Sequence, residues 1–211
     1  VLTVLVRKGA EEKVWKEKID MTLSDVFFTP EYLAAFEMCP PSETSANLGG
    51  EAYLCVFGDE DDFIVHPIFK RSLQTLPFYS AMVRGQPSLY DVTSPYGYAG
   101  PMAHIIHLDL EKPLWNGFLN EFHEFCIRNN IVSEFVRLNP FIKNHEPLSR
   151  VTDGVRKSGA VVYVDLTAEE EAIWKNMKKS NRNAIKRARR ENVEISRTKS
   201  PEDLEEFIRM Y

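Results

Sequence analysis

Apolar positions along the chain fall into two kinds of run, short and β-rich or long and spaced by three and four, and the two kinds interleave. Val1–Val6 reads as a strand, and Asp25-Val26-Phe27-Phe28 as another. Thr29 stands where an N-cap belongs, with Pro30 in the first helical position. That predicts a helix through Tyr32, Leu33 and Phe36, ended by Cys39-Pro40-Pro41. Beyond a polar loop reaching Gly49-Gly50, the runs Ala52–Phe57 and Phe63–Lys70 flank a polar turn, Gly58-Asp59-Glu60-Asp61-Asp62, and so predict a hairpin. Trp115, Phe118, Leu119, Phe122, Phe125 and Cys126 recur at helical spacing between Pro113 and Arg128, and Asn129-Asn130 closes that helix. Glu134–Leu138 reads as a strand ending at Asn139-Pro140.

The remainder of the chain predicts a second hairpin from Gly154 to Leu166, turning at Ser158-Gly159 into Val161-Val162-Tyr163-Val164. Thr167 and Glu170 have the spacing of a capping box, and Glu169–Glu171 suit the positive end of a helix running to about Arg190. Val193–Ser196 returns as a strand. Ser200-Pro201-Glu202-Asp203 then starts a helix whose apolar face is Leu204, Phe207, Ile208 and Tyr211. A stripe that reaches the last residue, in a chain that opens on Val1, reads as part of a longer protein. Helices and hairpins in this order predict a mixed α/β fold with a largely antiparallel sheet flanked by helices.

Composition narrows the class. The chain has 211 residues, 44% hydrophobic, 27% charged and 11% aromatic, which excludes a disordered or collagen-like chain and fits a folded soluble protein. Cys39, Cys55 and Cys126 are odd in number, far apart and set in apolar stretches, so reduced buried thiols and a cytoplasmic setting are expected. There is no apolar run of transmembrane length and no signal peptide. Net charge is -5, yet Lys175–Lys199 holds ten Lys or Arg against Glu191 and Glu194, a local +8 that leaves -13 on the other 186 residues. One basic segment on an acidic body suggests a local anion site rather than a general nucleic-acid surface.

In that segment Lys175, Lys178, Lys179, Arg182, Lys186 and Arg189 form one stripe at helical spacing, with Trp174, Met177, Ala184, Ile185 and Ala188 toward the other side. A solvated helix face would look the same. Like charges so spaced repel, however, and a bound polyanion relieves the repulsion; Arg182 as a fork and Lys179 as a point charge are the phosphate candidates. The loop Asp91–Pro101 is the least ordinary, with Pro95, Gly97, Gly100 and Pro101 as turn punctuation and Tyr96 and Tyr98 either capping the core or orienting a substrate beside Asp91. His104-x-x-His107 has no third ligand at matching spacing, so satisfied polar histidines are the better reading, and His66 and His123 read as structural. No nucleophile motif is present, and Asp91 is the one guess for a base.

The stretch Lys178-Lys179-Ser180-Asn181-Arg182-Asn183-Ala184-Ile185-Lys186-Arg187-Ala188 resembles the basic helix of the Fem family, the aminoacyl transferases that build peptidoglycan interpeptide bridges, and of its acyltransferase-like relatives. Phe28-Thr29-Pro30-Glu31-Tyr32-Leu33, the Asp91–Pro101 loop and Val164-Asp165-Leu166 resemble it in the same order, and Glu134–Pro140 is similar to its central strand. The resemblance implies an acyl-CoA N-acyltransferase (GNAT-like) fold used twice, with residues 1–199 as the first copy and 200–211 as the opening helix of a second GNAT-like domain. It implies amide formation on the amine of a phosphate-linked sugar-peptide acceptor, with aminoacyl-tRNA as donor. By position, Arg182 and Lys179 would contact the acceptor phosphates and Tyr96, Gly97 and Tyr98 would form part of the acceptor cleft, with Asn183, Lys186 and Asp91 as further substrate-binding candidates. No cofactor is expected. Arg156-Lys157-Ser158-Gly159-Ala160-Val161 is the nearest approach to the CoA pyrophosphate loop of the wider superfamily, but Val161 replaces the last small residue and the stretch runs into a predicted strand. The alternatives are a CoA-dependent N-acetyltransferase and a non-catalytic RNA-binding module using the basic helix. The latter lacks stacking aromatics beyond Trp174.

Overall fold

Phe63–Ser72 is buried at seven consecutive positions, Phe63 through Phe69, which only a strand covered on both faces accommodates. The computed structural model describes residues 1–22, 25–37, 50–75, 79 and 88–210, in two units, Val1–Ser158 and Gly159–Tyr211. In chain order the first unit contains β1 (Leu2–Val6), α1 (Gly9–Asp20), a 3-10 turn (Val26–Phe28), α2 (Pro30–Glu37), β2 (Glu51–Gly58) and β3 (Phe63–Ser72). It continues with β4 (Tyr90–Thr93), β5 (Met102–His104), α3 (Glu111–Arg128), β6 (Ile131–Phe135) and α4 (His145–Leu148). The sheet order is β1-β2-β3-β4-β6, with β5 also on β3 beside Phe63–Val65. Among the described residues every ladder is antiparallel except β4 with β6, which is parallel.

Alternation along the strands feeds two cores. Leu54, Phe63, Val65 and Phe69 pack with Trp15 and Ile19 of α1 and Leu33 of α2. Cys55, Ile64, Ile68 and Val92 pack on the opposite face with Trp115, Phe118 and Phe122 of α3. The expected mixed α/β class, with a mostly antiparallel sheet flanked by helices, is what the unit has. The β2–β3 hairpin and the helices at Pro30 and before Asn129 form as expected, Thr29 Oγ1 accepting from the Tyr32 N–H at 3.3 Å.

Several elements differ from expectation. Asp25–Phe28 is not a strand: the Asp25 side chain accepts from Val26 N at 2.6 Å, Phe28 N closes a turn on the Asp25 carbonyl at 3.0 Å, and buried Trp15 Nε1 donates to the Phe28 carbonyl at 2.9 Å. Helix α1 carries too little apolar pattern to be seen, since only Trp15 and Ile19 are buried; Lys13–Glu17 and Lys16–Glu12 pairs line its exposed side. The β6 ladder begins at Ile131 rather than Glu134, and a bridge between Ala99 and Leu138 carries the parallel contact beyond it. Cys39 and the Cys39-Pro40-Pro41 stop lie outside the described residues.

The second unit consists of α5 (Glu170–Asn176), α6 (Lys179–Arg190) and α7 (Pro201–Met210), the last starting at Ser200-Pro201 as expected. The single helix expected from Thr167 to Arg190 is two, because Met177 and Lys178 are extended, with ψ of 144° and 145°. The apolar pattern hides the break: Trp174 and Met177 are followed by Ile185 and Ala188, whole turns later. Thr167 caps nothing; its N–H and hydroxyl turn back to Asp165 Oδ1 at 2.9 and 2.7 Å, and Glu169 stands at the cap position without a side-chain bond. Neither the hairpin expected at 154–166 nor the strand at 193–196 forms. Val161–Val164 is β-rich, but a strand needs a facing row of N–H and C=O groups, and composition alone does not provide it. Among the described residues no helix is long and apolar enough to cross a membrane.

One polar contact ties the hairpin to the chain leading into α3. Asp62, buried at the end of the turn, accepts from Ile106 N at 2.7 Å, His107 N at 2.9 Å and His107 Nδ1 at 2.5 Å. Those bonds, led by the one from the His107 backbone, hold the Asp62 carboxyl below its ordinary 3.8. Asp62, with Asp109 and Asp61 beyond it, raises His107 above its ordinary 6.5. The Asp62 contribution is complete above pH 3.8 and drains as pH falls through its lowered value; the His107 contribution is complete below pH 6.5 and drains as pH climbs through the raised one. Thermal midpoints measured across pH are therefore expected to peak between 3.8 and 6.5, and His107→Ala to flatten the alkaline decline. Parallel declines in wild type and variant above pH 6.5 would show that the contact stabilises nothing.

Candidate functional site

The carboxyl ends of the parallel strands β4 and β6 lie side by side, and the chain leaving each one builds a common surface. In open α/β sheets this is where ligands bind. From β4 comes Ser94–Pro101; from β6 comes Val136–Asn144. A third stretch, Asp25–Phe36, packs on both. The Tyr32 hydroxyl donates to the Tyr96 carbonyl at 2.9 Å. Phe27 meets Tyr32 and Tyr98 edge-on, with centroids at 5.2 and 6.3 Å, and Phe36 meets Tyr96 at 6.0 Å. Burial, with Tyr96 and Asp25 nearby, pushes the Tyr32 phenol above its ordinary value, so it remains a protonated donor.

Two buried asparagines clamp the loop from beneath. Asn144 Nδ2 donates to the Ala99 and Pro101 carbonyls at 2.8 and 3.1 Å, while its Oδ1 accepts from Asn139 N at 2.9 Å. Asn139 Nδ2 reaches the Tyr98 carbonyl at 3.3 Å and Asp25 Oδ2 at 3.4 Å. All this was invisible in sequence, where Asn139-Pro140 marks only a strand end. A polar pair five residues apart that turns out fully buried is a tertiary fact.

The residues expected in an acceptor cleft separate into different roles. Tyr96 is 61% exposed, with the Arg137 guanidinium over its ring at 5.9 Å. Gly97 sits at φ +98°, and a Cβ there would run into the Phe27 ring, so this position has a steric need for glycine. Tyr98 packs on Phe27 and is half-buried. Asp91 stands on β4 directly opposite Arg71 and is held by it at both oxygens, Nε–Oδ1 2.9 Å and Nη2–Oδ2 2.5 Å. No described hydrogen bond or ring contact joins Asp91 to Tyr96 or Tyr98.

In the second unit, considered by itself, Arg182 is the surprise. Its Nη1 donates to the carbonyls of Lys175 at 3.0 Å, Trp174 at 3.4 Å and Met177, satisfying the groups freed where α5 stops. Arg189 lies 5.9 Å over the Trp174 ring, and Arg187 pairs with Glu191 at 2.7 Å. Lys178, Lys179, Asn183, Lys186 and Arg190 are exposed, and among the described residues none of these four cations has an ion-pair partner. Lys179 opens α6, whose first turn has no acidic residue; two lysines beside the positive end of a helix favour an anion there.

The remaining chemistry is structural. His104 stacks on Phe63 at 5.1 Å and His107 is bound to Asp62; no described group of His, Cys, Asp and Glu could hold a metal ion. Buried His66 bonds Glu134 through Nε2 at 2.7 Å, while His123 is exposed. Cys55 is buried and Cys126 half-buried; burial raises both thiols, Cys126 to about 11, so neither is a ready nucleophile. Arg156 turns its Nη1 to the Asp153 carbonyl at 2.6 Å, and the chain after Gly159 opens neither a helix nor the expected strand. No protein-family model, curated protein or solved structure matches this chain.

Gly97→Ala must move the Phe27 ring and adopt a left-handed backbone, and is expected to lower the unfolding free energy by about 1–3 kcal/mol in denaturant titrations. Asn144→Ala strands two carbonyls and the Asn139 N–H in the interior and is expected to cost about 2–3 kcal/mol. Wild-type stability in both variants would mean that the loop is not held by these contacts.

Proposed function

We propose that this chain is a Fem-like aminoacyl or acyl transferase, or the acceptor-binding part of one, forming an amide on the amine of a phosphate-linked sugar-peptide. The observation that carries this reading is the convergence of three separated stretches, Asp25–Phe36, Ser94–Pro101 and Val136–Asn144, on one surface at the carboxyl ends of β4 and β6. Each overlaps a stretch on which the resemblance to that family rests. A mostly antiparallel sheet with one parallel pair, between α1 and α2 on one face and α3 on the other, supports a GNAT-like fold.

On this reading the peptide part of the acceptor lies against Tyr96, Gly97 and Tyr98. In the second unit, taken by itself, Lys179 and Lys186 are uncompensated cations with the Asn183 amide beside them, a set suited to phosphate. Arg182, with Nη1 bound to three carbonyls, positions α6 against the end of α5 and is a lesser phosphate contact. Attack of an acceptor amine on an activated acyl group needs positioning, a base and carbonyl polarisation, and no enzyme nucleophile. Asp91, already paired with Arg71, serves as a fixed carboxylate there rather than a free base. The donor is aminoacyl-tRNA, the reaction is cytoplasmic, and a second GNAT-like domain completes the catalytic centre.

Calorimetric titration with a UDP-linked muropeptide, beside UDP, acetyl-CoA and tRNA, tests this. The muropeptide is expected to bind, and Lys179→Glu with Lys186→Glu to weaken it by about a hundredfold, two charge-assisted contacts being lost. Arg182→Glu is a poor probe, since it also uncaps α5. Binding of acetyl-CoA alone would make the protein a CoA-dependent acyltransferase. Binding of tRNA alone, falling steeply with salt, would make it an RNA-binding module.

A further inference from the structure

We infer that Arg137 anchors a carboxylate of the acceptor's peptide, between the exposed rings of Tyr96 and Phe135; this rests on the acceptor reading above. Arg137 stands two residues beyond the end of β6. Its backbone is pinned on both sides: its N–H donates to Ser94 Oγ at 3.1 Å, and its carbonyl accepts from Ala99 N at 2.9 Å. The side chain is exposed, yet its guanidinium is 5.9 Å from the Tyr96 ring and 5.7 Å from the Phe135 ring. Both rings are more than half exposed, 61% and 59%.

Three carboxylates of this unit are already held. Asp91 is taken by Arg71, and Glu37 by Arg7. Asp25 accepts from Val26 N through one oxygen and from Asn139 through the other. Among the described residues no carboxylate pairs with Arg137. A cation thus stands without a counter-ion on a body that carries -13 outside the basic segment. Guanidinium is weakly hydrated, stacks on aromatic faces and offers a planar fork that matches a carboxylate at two points. One such fork balances one negative charge, whereas a diphosphate calls for several cations. The flanking rings would cover the apolar part of a peptide beside its carboxylate.

The experiment uses four probes on the full chain: the UDP-linked muropeptide, the corresponding UDP-sugar without peptide, the free peptide, and the same peptide with every carboxylate amidated. Arg137→Gln is expected to weaken the muropeptide and the free peptide by about tenfold or more and to leave the UDP-sugar and the amidated peptide unchanged. Arg137→Lys keeps the charge without the fork and should fall between. Because the side chain is exposed, the thermal midpoint should not move. Equal binding of free and amidated peptide by wild type would overturn the inference, as would an equal loss of the UDP-sugar in Arg137→Gln, which would make Arg137 a phosphate contact. Arg137-dependent peptide binding without any UDP-sugar binding would keep the carboxylate site and remove the phosphate-linked acceptor. No binding of any probe would overturn both.

Discussion

Strand β3 is the constraint on which the first unit depends. Among the described residues it is the one strand that pairs with three others, β2, β4 and β5, and it presents Phe63, Val65 and Phe69 to α1 and α2 while presenting Ile64, His66 and Ile68 to α3. A one-residue slip would exchange those two sets and place His66, which needs Glu134, in the wrong layer. Its partners also divide its length: β5 covers Phe63–Val65 and β4 covers Phe69–Ser72. Because β4 joins only the far end, its exit and that of its parallel neighbour β6 come to one place, where the aromatic surface is built.

That surface is held by groups that do no chemistry themselves. Asn139 and Asn144 satisfy the backbone of the Tyr98–Pro101 segment from below, and Trp15 fixes the Asp25–Phe28 turn by a bond to the Phe28 carbonyl. The result is a base whose backbone groups are bonded from below, with the side chains of Tyr96 and Arg137 exposed above it. Such preorganisation lowers the cost of binding, since little has to be ordered when a ligand arrives. The basic helix follows another logic: Arg182 and Arg189 are consumed in tying α6 to the end of α5 and to Trp174, and the lysines left over carry the free charge.

The hairpin around Gly58–Asp62, the Thr29-Pro30 helix start and the Trp115–Phe122 stripe were legible because each is a local rule: turn residues between β-rich runs, a cap, a helical period. Charge was legible too, as an excess of Lys and Arg between Lys175 and Lys199. The break at Met177-Lys178 was not, since the apolar period continues across it. Nor were the unformed strands at 161–164 and 193–196, since β-branched composition does not supply a neighbour. In the site, Tyr96 and Gly97 could be singled out by their unusual loop, whereas Arg137 lay in an ordinary strand-like run and Asn144 in an ordinary loop.

The sequence by itself therefore determined the α/β class, the antiparallel hairpin, the helix that seals one core and the location of the positive charge. These follow from interactions among residues close along the chain. Only the tertiary structure decided that Tyr32, Tyr96 and Arg137 share one surface, that Asp91 is bound to Arg71, and that Arg182 is a cap rather than an open fork. Each depends on which strands become neighbours, and that is settled by burying β3 on both faces at once, a condition no local pattern expresses.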